Sequence, residues 1–377
     1  MTSPRERRID ALILFALLAL TAAAYWPGLA GGYLYDDMPN IVDNTRLHIH
    51  TLAPEALLSA SFSSHAGPLM RPISMVSFAL DYYFFGLAPY AFKATNLAVH
   101  LLNGLLIFWF TTLILRGYRR YRPDDLTDTG TRWLALTVTG AWLLHPLNLT
   151  PVLYVVQRMA SLAALFTLLG LCLYARARLR ALAGAARLAP GLIAALACTV
   201  PAALSKETGL LLPIYLLVLE AAVFRFRDAD GTHSRLLVRT AIGGTLGGLA
   251  LAGAWLLLHP GFVTAGYAGR DFTLGQRLLT EPRVILWYLH MIVAPSIHSL
   301  GLYHDDFTIS RGLFQPATTL PALLAVFGLL GAGFALLRRT PLIGFGILWF
   351  FTGQLMESTV FPLLIAQEQR NYLADYG

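Results

Sequence analysis

The sequence predicts an all-α polytopic membrane protein with about nine transmembrane helices and further helices at the membrane surface. Of its 377 residues, 56% are hydrophobic and only 13% are charged, and the mean hydropathy is +0.60. The apolar residues fall in runs of about 17 or more, and roughly 20 such residues span a hydrocarbon core of about 30 Å as a helix. These observations exclude a soluble globular domain. We expect a single membrane domain over residues 1–377.

The apolar runs follow one another along the whole chain. The first, residues 11–29, comes after Arg5, Arg7 and Arg8, a basic flank that also begins cleavable signal peptides. Nothing after Ala24 resembles a cleavage site, so we predict a transmembrane helix instead. Eight further runs lie at residues 94–115, 133–149, 155–175, 188–204, 209–224, 237–258, 317–337 and 341–361. With nine spans and a cytoplasmic start, we expect the chain to end outside.

The placement of arginine predicts the orientation of these spans. Short cytoplasmic segments tend to collect Lys and Arg, and 18 of the 28 basic residues fall in such segments under this topology. They are Arg5, Arg7, Arg8, Arg116, Arg119, Arg120, Arg122, Arg132, Arg176, Arg178, Arg180, Arg187, Arg225, Arg227, Arg235, Arg239, Arg338 and Arg339. We interpret all 18 as orientation signals. The net charge of +7 therefore does not indicate a nucleic-acid partner. The sequence predicts a multi-pass protein of the inner (plasma) membrane with its functional face in the periplasm or its equivalent.

Two long outer segments, residues 30–93 and 259–316, are where we expect function, because loops of this length are usually functional. Within the first, residues 72–92 are rich in aromatic side chains but too interrupted to span, which predicts a helix at the membrane surface. Within the second, the apolar stretch 284–293 is enclosed by two prolines and is too short to cross. It predicts a re-entrant or interfacial helix.

Two adjacent carboxylates, Asp36 and Asp37, lie shortly after the first predicted span. A pair of acids at a membrane surface suits a general base with its partner, a metal site, or a solvated turn. The dipeptide alone does not discriminate among these three interpretations.

Short turns at the predicted outer membrane boundary hold further ionisable groups, namely His145, Arg158, Lys206 and Glu207. Basic residues at this depth are commonly anchors whose charged ends reach the interface. Anchoring explains Arg158 as well as a functional role does. It explains Lys206 less well, because only two of the 28 basic residues are lysines.

A polar stripe crosses the second predicted span, where Asn96, His100 and Asn103 recur at helical spacing on one face. Gln354 and Glu357 repeat the pattern in the last predicted span. Polar groups in hydrocarbon are costly and normally face the bundle interior or a wet cavity. Hydrogen bonding between helices explains the stripe equally well.

The acids and several basic residues are expected on the same outer face, below the first long segment. The basic residues of this set are Arg71, Arg158, Lys206 and Arg370. A carboxylate base suits a hydroxyl that must lose a proton, and arginine is well suited to holding phosphate oxygens. The combination favours glycosyl transfer from a phospholipid-linked donor.

Five strings carry a resemblance to a known family. In order they are YDD, RPISMVSFALDYYFFG, HPLNLTPVLYVVQRM, SKETGLLLP and EQRNYL. As an ordered set covering essentially the whole chain, they resemble the GT-C superfamily of membrane glycosyltransferases. The greatest similarity is to the protein O-mannosyltransferase-like branch, which includes the transmembrane-TPR mannosyltransferases and bacterial relatives.

The resemblance implies a GT-C type fold and an inverting transferase that uses a polyprenyl-phosphate-linked sugar. The acceptor is then a hydroxyl on a protein, a glycan or a lipid, and mannose is the default sugar. An acid in the first outer loop acts as base, which maps to Asp36 with Asp37 orienting acceptor or donor, or to the reverse order. Family members usually continue past EQRNYL, and many carry TPR repeats, so this chain is either a shortened form or a compact version.

The resemblance also assigns the basic residues. Arg158 and Lys206 correspond to the family's phosphate contacts, with Glu207 fixing the lysine. Arg370 is a weaker candidate, and His145 belongs to a matching motif without a defined role.

We predict no cofactor and favour a metal-free site, although some GT-C enzymes use a divalent cation. Possible ligands on the outer side are His48, His50, His65, His304, Asp305 and Asp306, but they show no tight ligand spacing. The two cysteines, Cys172 and Cys198, lie inside apolar runs and indicate neither a disulfide framework nor a metal site.

Two alternatives come from other functional classes. A transporter or lipid flippase would use the polar stripe and Glu357 to line a path, but the hydropathy pattern shows no internal repeat of the kind common in transporters. An inactive assembly subunit of the cell envelope is the second alternative.

Overall fold

The computed structural model describes residues 4–64, 66–185 and 187–377, which are all-α with no β-strand among them. His65, one of the possible metal ligands, lies outside the described residues. The chain divides into two compact units, Met1–Leu212 and Pro213–Gly377. We describe each unit by itself, and the prediction of a single membrane domain stays a prediction.

The helices of the first unit are short around the first outer segment and long elsewhere. They are α1 (Pro4–Tyr25), α2 (Pro54–Ser61), α3 (Pro72–Phe85), α4 (Pro89–Tyr121), α5 (Asp128–Leu143), α6 (Leu149–Leu153), α7 (Arg158–Leu182), α8 (Ala189–Ala197) and α9 (Thr199–Ser205). Helix α10 (Leu212–Leu219) begins at the last residue of the first unit, and the second unit contains the rest of it. The other helices of the second unit are α11 (Arg235–Leu258), α12 (Gly261–Thr264), α13 (Leu274–Val293), α14 (Thr319–Arg339) and α15 (Pro341–Gln354).

Six helical segments are long and apolar enough to cross a membrane. They are Pro4–Ala30, Pro89–Tyr121, Val155–Leu182, Glu207–Phe224, Arg235–Leu258 and Thr319–Arg339. This confirms the all-α polytopic membrane class. The other three predicted spans fall on shorter helices, namely α5, the segment Ala189–Ser205 and α15. The orientation and the type of membrane stay predictions.

Helix α4 lies at the centre of the first unit, where it packs along α7 and α5. A Cβ atom built on Gly104 would lie 2.5 Å from the side chain of Leu143, so the absence of a side chain at Gly104 permits this close packing of α4 against α5. Between α5 and α7 the chain forms short turns at Pro146–Asn148 and Val155–Gln157, separated by α6. The second of these turns contacts the first outer segment.

In the second unit, the apolar core brings α13, α14 and α15 together with the segment that follows α15. Its buried members include Val284, Tyr288, Val326, Phe350 and Ile365. The segment after α15 has little regular structure. The buried guanidinium of Arg277 holds it by donating to the carbonyl oxygens of Glu357, Thr359, Leu363 and Leu364.

The bounds of three predicted helices are wrong. The stretch 284–293 is the second half of α13, which begins at Leu274 because Thr273 and Gln276 form a reciprocal capping box. Pro282 lies inside this helix, not at its start. The last predicted span ends at Gln354, so Glu357 follows the helix and does not share a helical face with Gln354. The predicted surface helix is divided by Gly86, whose φ of 59° ends α3 before α4 begins.

Candidate functional site

The two adjacent acids lie in a tight turn directly after the first membrane-spanning segment, but their environments differ. Asp37 is fully buried, and both of its carboxylate oxygens accept backbone hydrogen bonds. Oδ2 accepts from the N–H of Leu34 at 3.0 Å, and Oδ1 accepts from the N–H of Val156 at 2.7 Å. Asp37 therefore ties the loop to the turn that precedes α7.

The carboxylate of Asp36, in contrast, is exposed. Its backbone carries the local contacts: the N–H of Asp36 donates to the Tyr154 hydroxyl at 2.8 Å, and its carbonyl accepts from Asn40 Nδ2 at 2.8 Å. Tyr35, just before it, has a φ of 36°, which is costly for a residue with a side chain. The fold thus holds the backbone of Asp36 in place while leaving its side chain open to a reactant.

A buried lysine lies beside this turn. The Nζ of Lys93, near the start of α4, is 2.8 Å from the position of a Cβ built on Gly31, so a side chain at Gly31 would displace it. Burial raises the pKa of Asp37 to about 6, and the N–H groups of Leu34 and Val156 together with the charge of Lys93 oppose this rise. Lys93 is one of the two lysines in the chain. Sequence reasoning used that scarcity only for Lys206, although the same signal applies to Lys93.

The raised pKa of Asp37 predicts a dependence of stability on pH. The Asp37 carboxyl has a pKa of about 6 in the folded protein against a usual 3.8. Its protonated form therefore stabilises the fold below about pH 3.8, and this stabilisation, up to about 3 kcal/mol, is lost as the pH rises to about 6. We therefore expect the melting temperature of the native protein, relative to Asp37→Asn, to fall between about pH 4 and pH 6. Thermal unfolding in detergent across this range measures it.

The matched control is Asp43→Asn, which changes an exposed acid in the same segment. It should follow the pH profile of the native protein. Parallel profiles for the native protein and Asp37→Asn would contradict the assignment of this titration to Asp37.

Arg158 starts α7 inside a closed network. Its side chain is fully buried and pairs with Asp81 at 2.5 Å. The same guanidinium donates to Asn96 Oδ1 at 2.6 Å and to the carbonyl oxygens of Phe92 and Ser77 at 2.8 and 3.1 Å. It also lies 4.6 Å from the ring centroid of Phe78. This guanidinium presents no open face to a phosphate, so the geometry counts against the predicted phosphate contact, which stays a prediction.

The polar stripe of α4 bonds to the backbone of neighbouring segments. Asn96 donates to the carbonyl oxygens of Val152 and Val155, and the side chain of Asn103 donates to the carbonyl of Ser161. The ring of His100 contacts the carbonyl of Leu143 at 3.0 Å. All three stripe residues are fully buried. These contacts are those expected of hydrogen bonding between segments.

Arg71 and Glu207 form a second ion pair, with an N–O distance of 2.9 Å. The side chain of Glu207 thus reaches Arg71 at the start of α3, and the predicted role of Glu207 in fixing Lys206 stays a prediction. The φ values of Met70 and Arg71, 54° and 50°, place both residues in the left-handed region. A Cβ on Gly67 would lie 2.1 Å from Glu207 Oε1 and would displace that side chain, and the φ of 73° at Gly67 also favours glycine. Strained backbone of this kind clusters at functional sites.

The pair retains some access to solvent, unlike Arg158. The side chain of Arg71 is 18% exposed and that of Glu207 is 13% exposed. Lys206, next to Glu207, is 9% exposed. Of the basic residues in the first unit that are predicted to bind a phosphate, Arg71 is therefore the most exposed.

Arg370 lies in the second unit, and His145 has a local role. Arg370 is buried and donates to the carbonyl oxygens of Ile365 and Leu364, in its own segment. The Nδ1 atom of His145 accepts from the N–H of Leu147 at 3.3 Å and so caps the turn after α5. The predicted phosphate contact of Arg370 and any catalytic role of His145 stay predictions.

Asp81 is a site residue that sequence reasoning missed. It lies within the quoted string RPISMVSFALDYYFFG, but nothing in a single sequence shows that it faces Arg158. A buried acid in an apolar helix is costly unless it is paired, and that was the available signal.

No group of three or more metal-ligating side chains occurs among the described residues. His304 contacts Glu368 at 3.2 Å, and His48 stacks on Tyr82 with ring centroids 4.3 Å apart. The preference for a metal-free site stays a prediction.

Part of the chain is similar in sequence to known transferases. No protein-family model and no solved structure matches the chain. Protein O-mannosyl-transferase TMTC1 of Mus musculus is 27% identical over 184 residues, which cover 46% of this chain and 18% of that protein. Protein O-mannosyl-transferase TMTC3 of Homo sapiens is 24% identical over 169 residues, or 43% of this chain and 17% of that protein. The matched part thus spans less than a fifth of these curated relatives, and over a little under half of its own length the chain is similar to protein O-mannosyl-transferases.

Proposed function

We propose that this protein is an inverting glycosyltransferase that moves a sugar from a polyprenyl-phosphate-linked donor to an extracytoplasmic hydroxyl. The similarity to two protein O-mannosyl-transferases carries this proposal. An exposed acid after a membrane-spanning helix, with the partly exposed Arg71 in the same unit, supports it. Mannose and a protein Ser or Thr hydroxyl are the first sugar and acceptor to test.

The proposed step uses Asp36 as general base. Its carboxylate takes the proton of the acceptor hydroxyl as the oxygen attacks C1 of the sugar. The bond between C1 and the phosphate oxygen breaks, and the polyprenyl phosphate leaves with the electron pair. Attack opposite to the leaving group inverts the configuration at C1. Asp37 holds the loop and thereby positions Asp36.

Arg71 and Lys206 are the proposed contacts of the donor phosphate. Positive groups held toward the leaving phosphate stabilise the charge that develops on it. Glu207 orients Arg71 through their ion pair, and Arg158 positions the first turn of α7 without contacting the donor.

The direct test is transfer by the purified full chain from radiolabelled polyprenyl-phosphate mannose to acceptor proteins in membranes. We expect label on the acceptor and release of polyprenyl phosphate. A nucleotide-linked mannose should not replace the lipid-linked donor. Efficient transfer directly from the nucleotide sugar would contradict the proposal, as would absence of transfer from any lipid-linked sugar.

Replacing Arg71 by glutamine should raise the donor KM. A hydrogen bond to a charged group contributes about 1.5–3 kcal/mol, so we expect an increase of about tenfold to a hundredfold. Steady-state kinetics with varied donor concentration measure this. Arg46→Gln is the matched control, because Arg46 is in the same segment but bonds to Ser59 at the surface. An unchanged donor KM in Arg71→Gln would remove Arg71 from the donor site.

A further inference from the structure

Four arginines that the topology explains as orientation signals lie around one cavity. This cavity, of about 330 Å³, lies between α1, α4 and α5 in the first unit. Its charged lining comprises Arg7, Arg116, Arg119, Arg132, Asp10 and Asp128. Orientation requires only that arginines lie in a cytoplasmic segment. It does not require that residues from three helices meet at one cavity.

The acids of the cavity pair with two of the four arginines. Arg132 contacts Asp10 through two hydrogen bonds of 2.8 and 2.7 Å, and it also pairs with Glu6 outside the lining. Arg119 pairs with Asp128. Arg7 and Arg116 are exposed, and neither has an ion-pair partner among the residues that the structure describes. The lining therefore has two positive charges in excess, held on α1 and α4.

The remaining lining of the cavity consists of two threonines, Thr112 and Thr131, and an apolar wall. Ala11, Leu14 and Phe108 line it on the side away from the helix ends. Helix α1 is largely exposed in this unit, with 11% of its apolar stretch buried, so an α1 that spans the membrane would turn this side toward the hydrocarbon. A small soluble anion would contact the arginines alone. An amphiphile would use both the arginines and the apolar wall.

We propose that this cavity binds the phosphate headgroup of an anionic phospholipid, with an acyl chain along the apolar wall. Guanidinium groups suit phosphate oxygens, and basic pockets between membrane helices bind anionic headgroups. The cavity is at the start of α1, whereas Asp36 follows its end. At about 1.5 Å per residue, the helix from Arg7 to Tyr25 separates the two by roughly 27 Å. This lipid site is therefore distinct from the proposed transfer site and does not depend on it.

The test measures lipid retention by the purified full chain in neutral detergent, using native mass spectrometry with phosphatidylglycerol or phosphatidylcholine added. We expect the native protein to retain phosphatidylglycerol at concentrations about tenfold lower than phosphatidylcholine. The variant Arg7→Gln with Arg116→Gln should weaken phosphatidylglycerol binding by about tenfold or more. The control Arg8→Gln with Arg339→Gln removes the same charge from α1 and from the end of another helix, and should change binding by less than about twofold.

Several results would overturn this proposal. Unchanged phosphatidylglycerol binding in the first double variant would do so, and so would an equal loss in both double variants, which would indicate unspecific charge attraction. Displacement of the lipid by millimolar inorganic phosphate would show that the cavity takes the anion without the lipid. If the first double variant does not fold, lipid binding by the native protein at low and at high salt is the deciding measurement. Equal affinity for phosphatidylglycerol and phosphatidylcholine at both salt concentrations would contradict the site.

Discussion

Asp36→Asn should abolish sugar transfer while leaving the amount and stability of the protein unchanged. Asparagine has nearly the shape of aspartate but cannot accept the acceptor proton, and general base catalysis contributes about 10²- to 10⁴-fold. The side chain of Asp36 is exposed, and its backbone makes the local hydrogen bonds. The substitution therefore removes the proposed base without removing a structural contact. Initial rates at saturating donor, compared at equal protein concentration, measure the loss.

Asp43→Asn is the matched control, because it removes one exposed carboxylate from the same segment. It should keep the rate within about twofold. Asp37→Asn should also lower transfer, but with altered thermal stability, since Asp37 accepts hydrogen bonds from Leu34 and Val156. If Asp36→Asn retains the full rate and Asp37→Asn loses it with unchanged stability, the roles of the two acids are reversed.

Arg158→Met should strongly destabilise the fold. It leaves the carboxylate of Asp81 buried without its charged partner, and breaking a buried ion pair in this way costs about 3–5 kcal/mol. It also removes the donor to Asn96 and to two backbone carbonyl oxygens. A large drop in the melting temperature of the detergent-solubilised protein is the expected result. Adding Asp81→Asn should recover part of it, because the uncompensated charge is removed.

Arg176→Met serves as the control, since Arg176 is an exposed residue of the same helix. It should change the melting temperature little. The outcome also separates two roles of Arg158. A stable Arg158→Met protein with a strongly raised donor KM would establish the phosphate contact predicted from sequence and contradict the structural role.

The helical class and the approximate positions of the membrane segments were predictable from sequence, because hydrocarbon thickness sets the length of an apolar helix. The first residue of α13 and the last residue of α15 could not be predicted in this way. A proline is tolerated inside α13, where the capping box at Thr273 extends the helix toward its start. In α15, apolar composition continues past Gln354 although the helix does not. Hydropathy records the composition of a segment and not the point where its backbone hydrogen bonding stops.

The residues of the candidate site could be predicted from the sequence, but the role of each residue could not. The YDD string located the acids. It did not show that Asp37 is buried beside Lys93 while Asp36 is exposed. Likewise, the scarcity of lysine singled out Lys206, but it did not show that its neighbour Glu207 pairs with Arg71, 136 positions away.

By itself, the sequence determined that this protein is a helical membrane protein with acids shortly after its first apolar run and with arginines clustered at the ends of its apolar runs. The physical reason is that apolar length and local charge act within one segment. Only the tertiary structure decided which acid is exposed, which arginines are paired and which surround a cavity. Those properties depend on partners such as Asp81 for Arg158, 77 positions apart, and burial and pairing arise only when distant segments pack together.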